Sequence, residues 1–273
     1  LVLMRILRQG PLSIEVELAD LSVIMLSDGE TGMPTAHLRG PDGAALPADV
    51  LAGADLVDGK LRLPVRAFVV RGPAGTLLID SGAGRAWHPT LGRLGAAMIE
   101  AGVGPNEVTD IALTHTHIDH LGGLVDDDGG LVFPNARRVL VATEELTAFR
   151  NIARMIPVLP RVIPLEQGDG PMRGVTAINA PGHSPGHMAF LVDGRLLIWG
   201  DLVHHAAVQF ARPDVTWTFD DDPAQARASR IALMEQSVEA GWLVAGAHLP
   251  ASGIGRISRQ GDGYTFHPVT RGS

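Results

Sequence analysis

The sequence predicts a mixed α/β layered fold, and three observations carry that reading. Short apolar runs alternate with helix-period patterns through the middle of the chain, and hairpin signatures stand near both ends of that stretch. The 273 residues are 45% hydrophobic and 19% charged, enough apolar material for a substantial core. The 33 glycines and 19 prolines are spread along the whole length without a linker-like block, so residues 1–273 read as a single domain.

Taken in order, Val65–Val70 and Thr76–Asp80 read as paired strands around the turn Arg71-Gly72-Pro73-Ala74-Gly75. Leu91, Leu94, Met98 and Ala101 recur at helical spacing and stop at Gly102. Val108–Leu113 reads as a buried strand that delivers Thr114-His115-Thr116-His117-Ile118-Asp119-His120 at its C-terminal end. Val139–Ala142 is the next strand, followed by a helix from Glu144 to Ile156 that Pro157 stops. Val175–Asn179 leads into Ala180-Pro181-Gly182-His183. Met188–Val192 and Arg195–Trp199 flank Asp193-Gly194, a pair suited to a type I′ hairpin turn, and the second strand ends in Gly200-Asp201. Asp222, Pro223 and Gln225 mark a helix start, Ile231, Met234 and Val238 its apolar face, and Gly241 its end. Trp242–Ala245 reads as a last buried strand before His248. Residues 30–60, rich in Gly, Pro, Ala and Asp, read as an insertion or mobile loop.

Composition narrows the chemistry. Twenty-two Lys and Arg against 30 Asp and Glu leave a formal charge of −8, which argues against nucleic acid or anionic lipid as a general partner. There is no cysteine, hence no thiolate nucleophile, iron–sulfur cluster or Cys-rich zinc site. No run of about 18 apolar residues exists to span a membrane. The opening Leu1-Val2-Leu3-Met4-Arg5-Ile6-Leu7-Arg8 lacks the basic lead-in and cleavage site of a signal peptide. A cytoplasmic location is the default reading, with secretion still open because the chain begins at leucine.

His115, His117, Asp119 and His120 place four metal-binding groups on one loop, a density that packing does not explain. Imidazole and carboxylate without sulfur suit Zn, Mn, Fe or Co, with zinc the first choice. Neighbouring ligands on one loop cannot all face a single ion, so two divalent ions are the simpler solution. His183, Asp201 and His248 each follow a predicted strand, and a sheet that brings its strand ends to one edge would gather all seven. The expectation is His115, His117 and His183 on the first ion, Asp119, His120 and His248 on the second, and Asp201 bridging both. Water shared between such ions is acidified from about 15.7 toward 7 and becomes a hydroxide nucleophile at neutral pH. An ester, lactone or phosphoester could then be hydrolysed without an organic cofactor. Asp119 is also a candidate proton shuttle to the leaving group.

The pattern His115-x-His117-x-Asp119-His120 with Gly122-Gly123, then Pro181-Gly182-His183, Gly200-Asp201 and His248, resembles the metallo-β-lactamase superfamily. The resemblance covers about Val65 to His248. It implies an αββα sandwich with the metal centre at the edge between two sheets, and a buried supporting carboxylate at Asp80. Gly200-Asp201-Leu202-Val203-His204 and Gly246-Ala247-His248-Leu249-Pro250 are similar to the methyl parathion hydrolase and lactonase-like branch, as are Pro89–Leu94 and Phe133–Ala136. That similarity implies a homodimer and a small-molecule substrate among lactones, aryl esters and phosphotriesters. The chain departs from the branch in a much shorter stretch between Ile156 and Val175, where pocket-wall residues would stand. β-Lactamases of the principal dizinc class resemble the pattern but carry Cys in place of Asp201.

His204, Phe210, Trp87 and Arg66 are the substrate-pocket candidates. Each has a plainer reading: His204 and His205 as loop residues, Trp87, Phe210, Trp217 and Phe219 as core, and Arg66 as a strand-edge salt bridge. His187 reads as a buried partner and not a ligand. His37, His88 and His267 read as background. Asp126-Asp127-Asp128 and Asp220-Asp221-Asp222 read as solvated turns and a helix cap. The expected activity is metal-dependent hydrolysis. Its alternatives are a phosphodiesterase, a mononuclear-iron dioxygenase acting on sulfur compounds, or a non-catalytic metal-binding scaffold.

Overall fold

The structure is a computed structural model that describes residues 4–270; Leu1-Val2-Leu3 of the apolar N-terminal run lie outside the described residues. The chain opens with a meander, β1 (Arg5–Gln9), β2 (Ser13–Leu18) and β3 (Leu21–Met33). It continues through β4 (Leu38–Arg39), α1 (Ala48–Leu51) and β5 (Leu56–Val57) to β6 (Lys60–Gly72) and β7 (Gly75–Ile79). Three strands alternate with helices next: α2 (Leu94–Ala101), β8 (Asp110–Ala112), α3 (Ile118–Leu121), β9 (Arg138–Ala142), α4 (Leu146–Asn151) and β10 (Val162–Leu165). The second half is β11 (Val175–Asn179), β12 (Met188–Val192), β13 (Leu196–Ile198), α5 (Ala206–Gln209), β14 (Thr216–Trp217) and α6 (Pro223–Ala240). β15 (Leu243–Ala245), β16 (Ile254–Gln260) and β17 (Gly263–Pro268) complete it.

The first sheet runs β1-β2-β3-β6-β7-β8-β9-β10, with β5 paired onto β6, and the second runs β11-β12-β13-β15-β16-β17. Pairing is antiparallel from β1 to β7 and parallel from β7 to β10, where the helical crossovers lie. Alternation along β6 sends Phe68 and Val70 to a core shared with Phe190 and Ile198 of the second sheet. It sends Ala67 and Val69 to a layer with Met98 of α2, Leu121 of α3 and Phe149 of α4. The far face of the second sheet packs Leu197 and Val244 on Leu233 and Met234 of α6. Helix, sheet, sheet and helix thus stack as four layers, the αββα sandwich.

Local signals hold where they were strong. Gly102 and Gly241 close α2 and α6 in the left-handed conformation, at φ 66° and 67°. The Asp222 carboxylate accepts from the Ala224 and Gln225 amides as the N-cap of α6. Asp193 and Gly194, at φ 50° and 62°, make the β12–β13 turn.

The chain departs from the sequence reading in five places. The three N-terminal strands have no counterpart in the sequence reading. The helix expected from Glu144 to Ile156 is α-helical only over Leu146–Asn151, and a 3-10 stretch from Ala153 to Arg161 accommodates Pro157 and Pro160. The buried stripe of α6 runs through Ala226, Arg230, Leu233, Met234 and Ser237, rotated from the Ile231-Met234-Val238 face. Trp242–Ala245 does not supply the last strand, because β16 and β17 follow it. Residues 30–60 also carry more structure than a loop. β4 pairs with β14, and Leu38 and Leu61 form a separate cluster with Val208, Val215 and Trp217.

Candidate metal centre

β7, β8, β11, β13 and β15 all end at the same edge of the sandwich, and the chemistry-bearing residues follow those ends. Beyond β8 the chain extends through Leu113 and Thr114 before α3 begins. His117 therefore lies on extended backbone ahead of α3 while Asp119 and His120 lie on its helical turn, and His115 with His117 falls in one ligand group and Asp119 with His120 in the other. Asp80, just past β7 at φ 60°, fixes this loop: it accepts from the Thr114 amide at 2.8 Å and the Thr114 hydroxyl at 2.9 Å. It also lies 2.8 Å from His120 Nδ1, so His120 donates from Nδ1 and presents Nε2 to the site.

The other ligand candidates are held in the same manner. His183 Nδ1 lies 2.9 Å from the Asp220 carboxylate, which also accepts from the Trp217 amide at 2.9 Å. His248 Nδ1 donates to the Pro64 carbonyl at 2.6 Å. Asp201 is anchored through its own amide, which donates to His187 Nε2 at 3.0 Å, while His187 Nδ1 donates to Ala180 O. His187 is thus the buried partner expected of it.

These restraints converge the seven groups. One ligand atom from each of His115, His117, His183 and Asp201 lies within 4.8 Å of the others, and Asp119, His120, Asp201 and His248 do the same. Asp201 belongs to both groups. Its Oδ1 is 3.1 Å from His120 Nε2, and its Oδ2 is 3.3 Å from His183 Nε2 and 3.1 Å from His248 Nε2. All are buried except His117, which is half-buried. His115 Nε2, His120 Nε2 and Asp201 Oδ1 have no hydrogen-bond partner among the described residues although they are buried. Unpartnered nitrogen and oxygen atoms aimed at one point are what hard or borderline cations take, so the residues fit metal.

The electrostatics agree. Burial opposes ionisation of Asp119, but His120 and His248 beside it hold its carboxyl at about 2. Burial opposes and His120 and His248 favour the charge on Asp201, which sits well below the usual carboxylate range. Burial lowers the pKa of His183, yet Asp201 and Asp220 raise it to about 9. Both carboxyls are therefore ionised within a buried cluster of imidazoles, the donor set that a divalent cation takes.

A cavity of about 220 Å³ opens on these groups. Apart from the ligand candidates and His204, its walls are Met33, Leu63, Trp87, Ile118, Trp217 and Phe219. His204 is buried between the rings of Trp217 and His248, at centroid distances of 4.8 and 5.4 Å, and its Nε2 is 3.2 Å from Asp201. His204 and Trp87 thus line the pocket. Phe210 does not, because it is buried against Phe266 in the core under α6. Arg66 also lies outside this cavity. It makes no salt bridge among the described residues, and its Nη2 donates to Ala251 O at 3.0 Å instead. Asp220 is the supporting residue that the sequence reading passed over as part of a solvated turn, and nothing in an Asp-Asp-Asp run distinguishes it.

A sandwich whose facing sheets bring paired His and Asp groups to one edge defines a class of metal-dependent hydrolases. A family model, the metallo-β-lactamase superfamily, matches residues 61–248, and the chain belongs to that superfamily. No curated protein sequence matches it. Among solved structures, the hydrolase AbOPH of the β-lactamase superfamily is 26% identical and superposes with a TM-score of 0.85, over 96% of this chain and 99% of its own. AidC, a dizinc quorum-quenching lactonase in complex with the product N-hexanoyl-L-homoserine, is 25% identical with a TM-score of 0.82, over 95% and 98%. A probable metal-dependent hydrolase from Staphylococcus aureus shares the fold at 20% identity and a TM-score of 0.77, over 93% and 99%.

Proposed function

We propose that this hydrolase holds two divalent ions, zinc first among them, and opens a neutral, moderately apolar ester-like substrate, a lactone before an aryl ester or phosphotriester. The observation that carries the proposal is the pair of four-residue groups sharing Asp201 beneath a cavity whose other walls are mostly apolar. His115, His117 and His183 would hold one ion, Asp119, His120 and His248 the other, and Asp201 both. Bound there, the ions supply Lewis acidity toward an oxygen and a water acidified to near neutral pH.

The chain's own residues do the rest. Asp80, Asp220 and the Pro64 carbonyl fix which nitrogen of His120, His183 and His248 faces inward. Trp87, Trp217 and Phe219 give an apolar acyl or aryl group a surface and exclude water around the reacting ester. Asp119, ionised and at the cavity wall, is placed to take a proton and return it to the leaving oxygen. No lysine or arginine stands among the described lining residues, which disfavours phosphodiesters and other anions. The likeness to AidC supports the lactone reading.

The test combines elemental analysis with turnover on one preparation, using an acyl-homoserine lactone, a δ-lactone, a nitrophenyl acetate, methyl paraoxon and a bis-nitrophenyl phosphate. The expected result is two metal equivalents and fastest turnover of a lactone. Asp201→Ala should bind no more than one ion and lose turnover by about 10³-fold or more. One equivalent of iron with no hydrolysis, or full activity in Asp201→Ala, overturns the proposal.

A further inference from the structure

His120, His183 and His248 each have a carboxylate or carbonyl at Nδ1 that turns the ring into the site. The other two ligand histidines are held differently. Among the described residues His115 Nδ1 lies 3.1 Å from the Thr114 hydroxyl, and His117 Nδ1 lies 3.0 Å from Nε2 of His183, itself a ligand candidate. Their placement therefore depends on the short stretch of backbone that carries both, and Thr116 stands between them.

The Thr116 hydroxyl donates to Glu145 Oε2 at 2.5 Å, and Glu145 Oε1 accepts from the Gly186 amide at 2.9 Å. Glu145 is 3% exposed and stands between β9 and α4, whereas Gly186 lies on the β11–β12 connection that also carries His183. One buried carboxylate thus ties the loop of His115 and His117, from the first sheet, to the loop of His183, from the second. The approach is close. A Cβ on Gly186 would stand 2.8 Å from Glu145 Cγ and 3.0 Å from Ala142 Cβ, so the loops meet in this way only through a glycine. The start of the histidine stretch is fixed separately, by Asp80 and by the Met188 amide, which donates to the Thr114 carbonyl at 2.8 Å. Glu145 holds the end that runs on to His117.

We infer that Glu145 is a positioning residue for the metal centre: it sets His115 and His117 against His183, and with them the affinity for the ion that these three would share. The inference rests on the two-ion reading of the site. Glu145 is not among the residues lining the cavity, so it acts through the loops and not on substrate. Both of its oxygens are taken by neutral donors, so what it supplies is geometry. In Glu145→Gln the amide oxygen can accept from Gly186 while the amide nitrogen donates to the Thr116 hydroxyl, which preserves the tie without the charge.

Stepwise zinc binding, measured by competition with a chromogenic chelator, tests this on the wild type, Glu145→Ala, Glu145→Gln, Thr116→Val and Asp220→Ala, with urea unfolding of the same preparations. Glu145→Ala should weaken one step by about 10- to 100-fold and leave the other unchanged. The weakened step should be the one that Asp220→Ala weakens through His183, and Glu145→Gln should return it close to the wild-type value. Thr116→Val, nearly isosteric, removes the same tie and should weaken the same step, which keeps the test decisive where Glu145→Ala does not fold. A side chain that served packing alone would lower the urea midpoint and change both steps together or neither. Two wild-type zinc steps that are unchanged in the variants, weakened alike, weakened only at the other step or not recovered in Glu145→Gln overturn the inference and leave the two-ion reading in place. A wild type that binds fewer than two ions overturns that reading, and the inference with it.

Discussion

At the scale of single residues, the candidate centre depends on groups that never reach it. His183 faces the site only because Asp220 holds its Nδ1 at 2.9 Å, and Asp220 is itself pinned by the Trp217 amide. Replacing Asp220 with Ala should free the imidazole and weaken binding of one ion by about 10- to 100-fold, read by competition with a chromogenic chelator. Asp222→Ala, two residues on, removes only the α6 cap. It should cost about 1 kcal/mol in urea unfolding and leave metal affinity alone. Equal metal affinity in wild type and Asp220→Ala would end the orienting role given to Asp220. The same contrast explains what the sequence disclosed. His115, His117, Asp119 and His120 declared themselves by density, and His183, Asp201 and His248 by standing after strands. Asp220 is one of three adjacent aspartates whose roles differ only through the fold. Arg66 and Phe210 were ambiguous because an apolar strand and an aromatic loop look alike whichever face they present.

At the scale of elements, β7, β8 and β9 in the parallel half of the first sheet were legible because they are short apolar runs punctuated by glycine and helical repeats, whereas β10, which follows two prolines, was not. β1 and β2 were not, since β1 is largely exposed and carries charge, and β2 keeps Glu15 and Glu17 among its apolar residues. α6 misled for a different reason. Arg230, 1% exposed, takes a core position by donating to the carbonyls of Leu202, Pro213 and Val215, so a charged residue occupies the buried stripe. Strand pairing offers a test of its own at Asp110, which begins β8 and meets Arg137 at 3.0 Å and Arg138 at 2.6 Å. Burial would raise its pKa, but hydrogen bonds from Arg138, Thr109 and Arg137 hold it below the ordinary 3.8. With the folded value depressed, the stabilisation is present above the unfolded value and is lost as pH falls through the folded one. Asp110→Asn should therefore be about 1 kcal/mol less stable at pH 7, the exposed arginines screening the pair. Its deficit should shrink on acidification below about pH 3, where the wild-type carboxyl is protonated as well. Urea midpoints at pH 7 and below 3 measure both, and a deficit independent of pH would assign the loss to packing.

At the scale of the whole molecule, the two sheets meet at the edge through groups that belong to opposite sides. His115, His117, Asp119 and His120 leave the first sheet at β8, whereas His183, Asp201 and His248 leave the second at β11, β13 and β15. Ions held between them would cross-link the layers, and the direct bridges nearby, His248 to the Pro64 carbonyl and Arg66 to the Ala251 carbonyl, join the same two sheets. Stripping metal should then do more than abolish turnover. It would leave Asp119 and Asp201 ionised and buried together, stabilised only by whatever protons the neighbouring imidazoles retain. An ion bound only to the folded state at a thousandfold excess over its Kd contributes about 4 kcal/mol. For a chain of this size that corresponds to a fall in Tm of about 8–16 °C per ion. Chelator titration followed by calorimetry and elemental analysis should show two decrements, one for each equivalent removed, both reversed by adding zinc. A Tm that does not move after complete removal of metal would mean that Phe68, Val70, Phe190 and Ile198 hold the layers together unaided, and that the edge is a site built on the sandwich without being one of its fastenings.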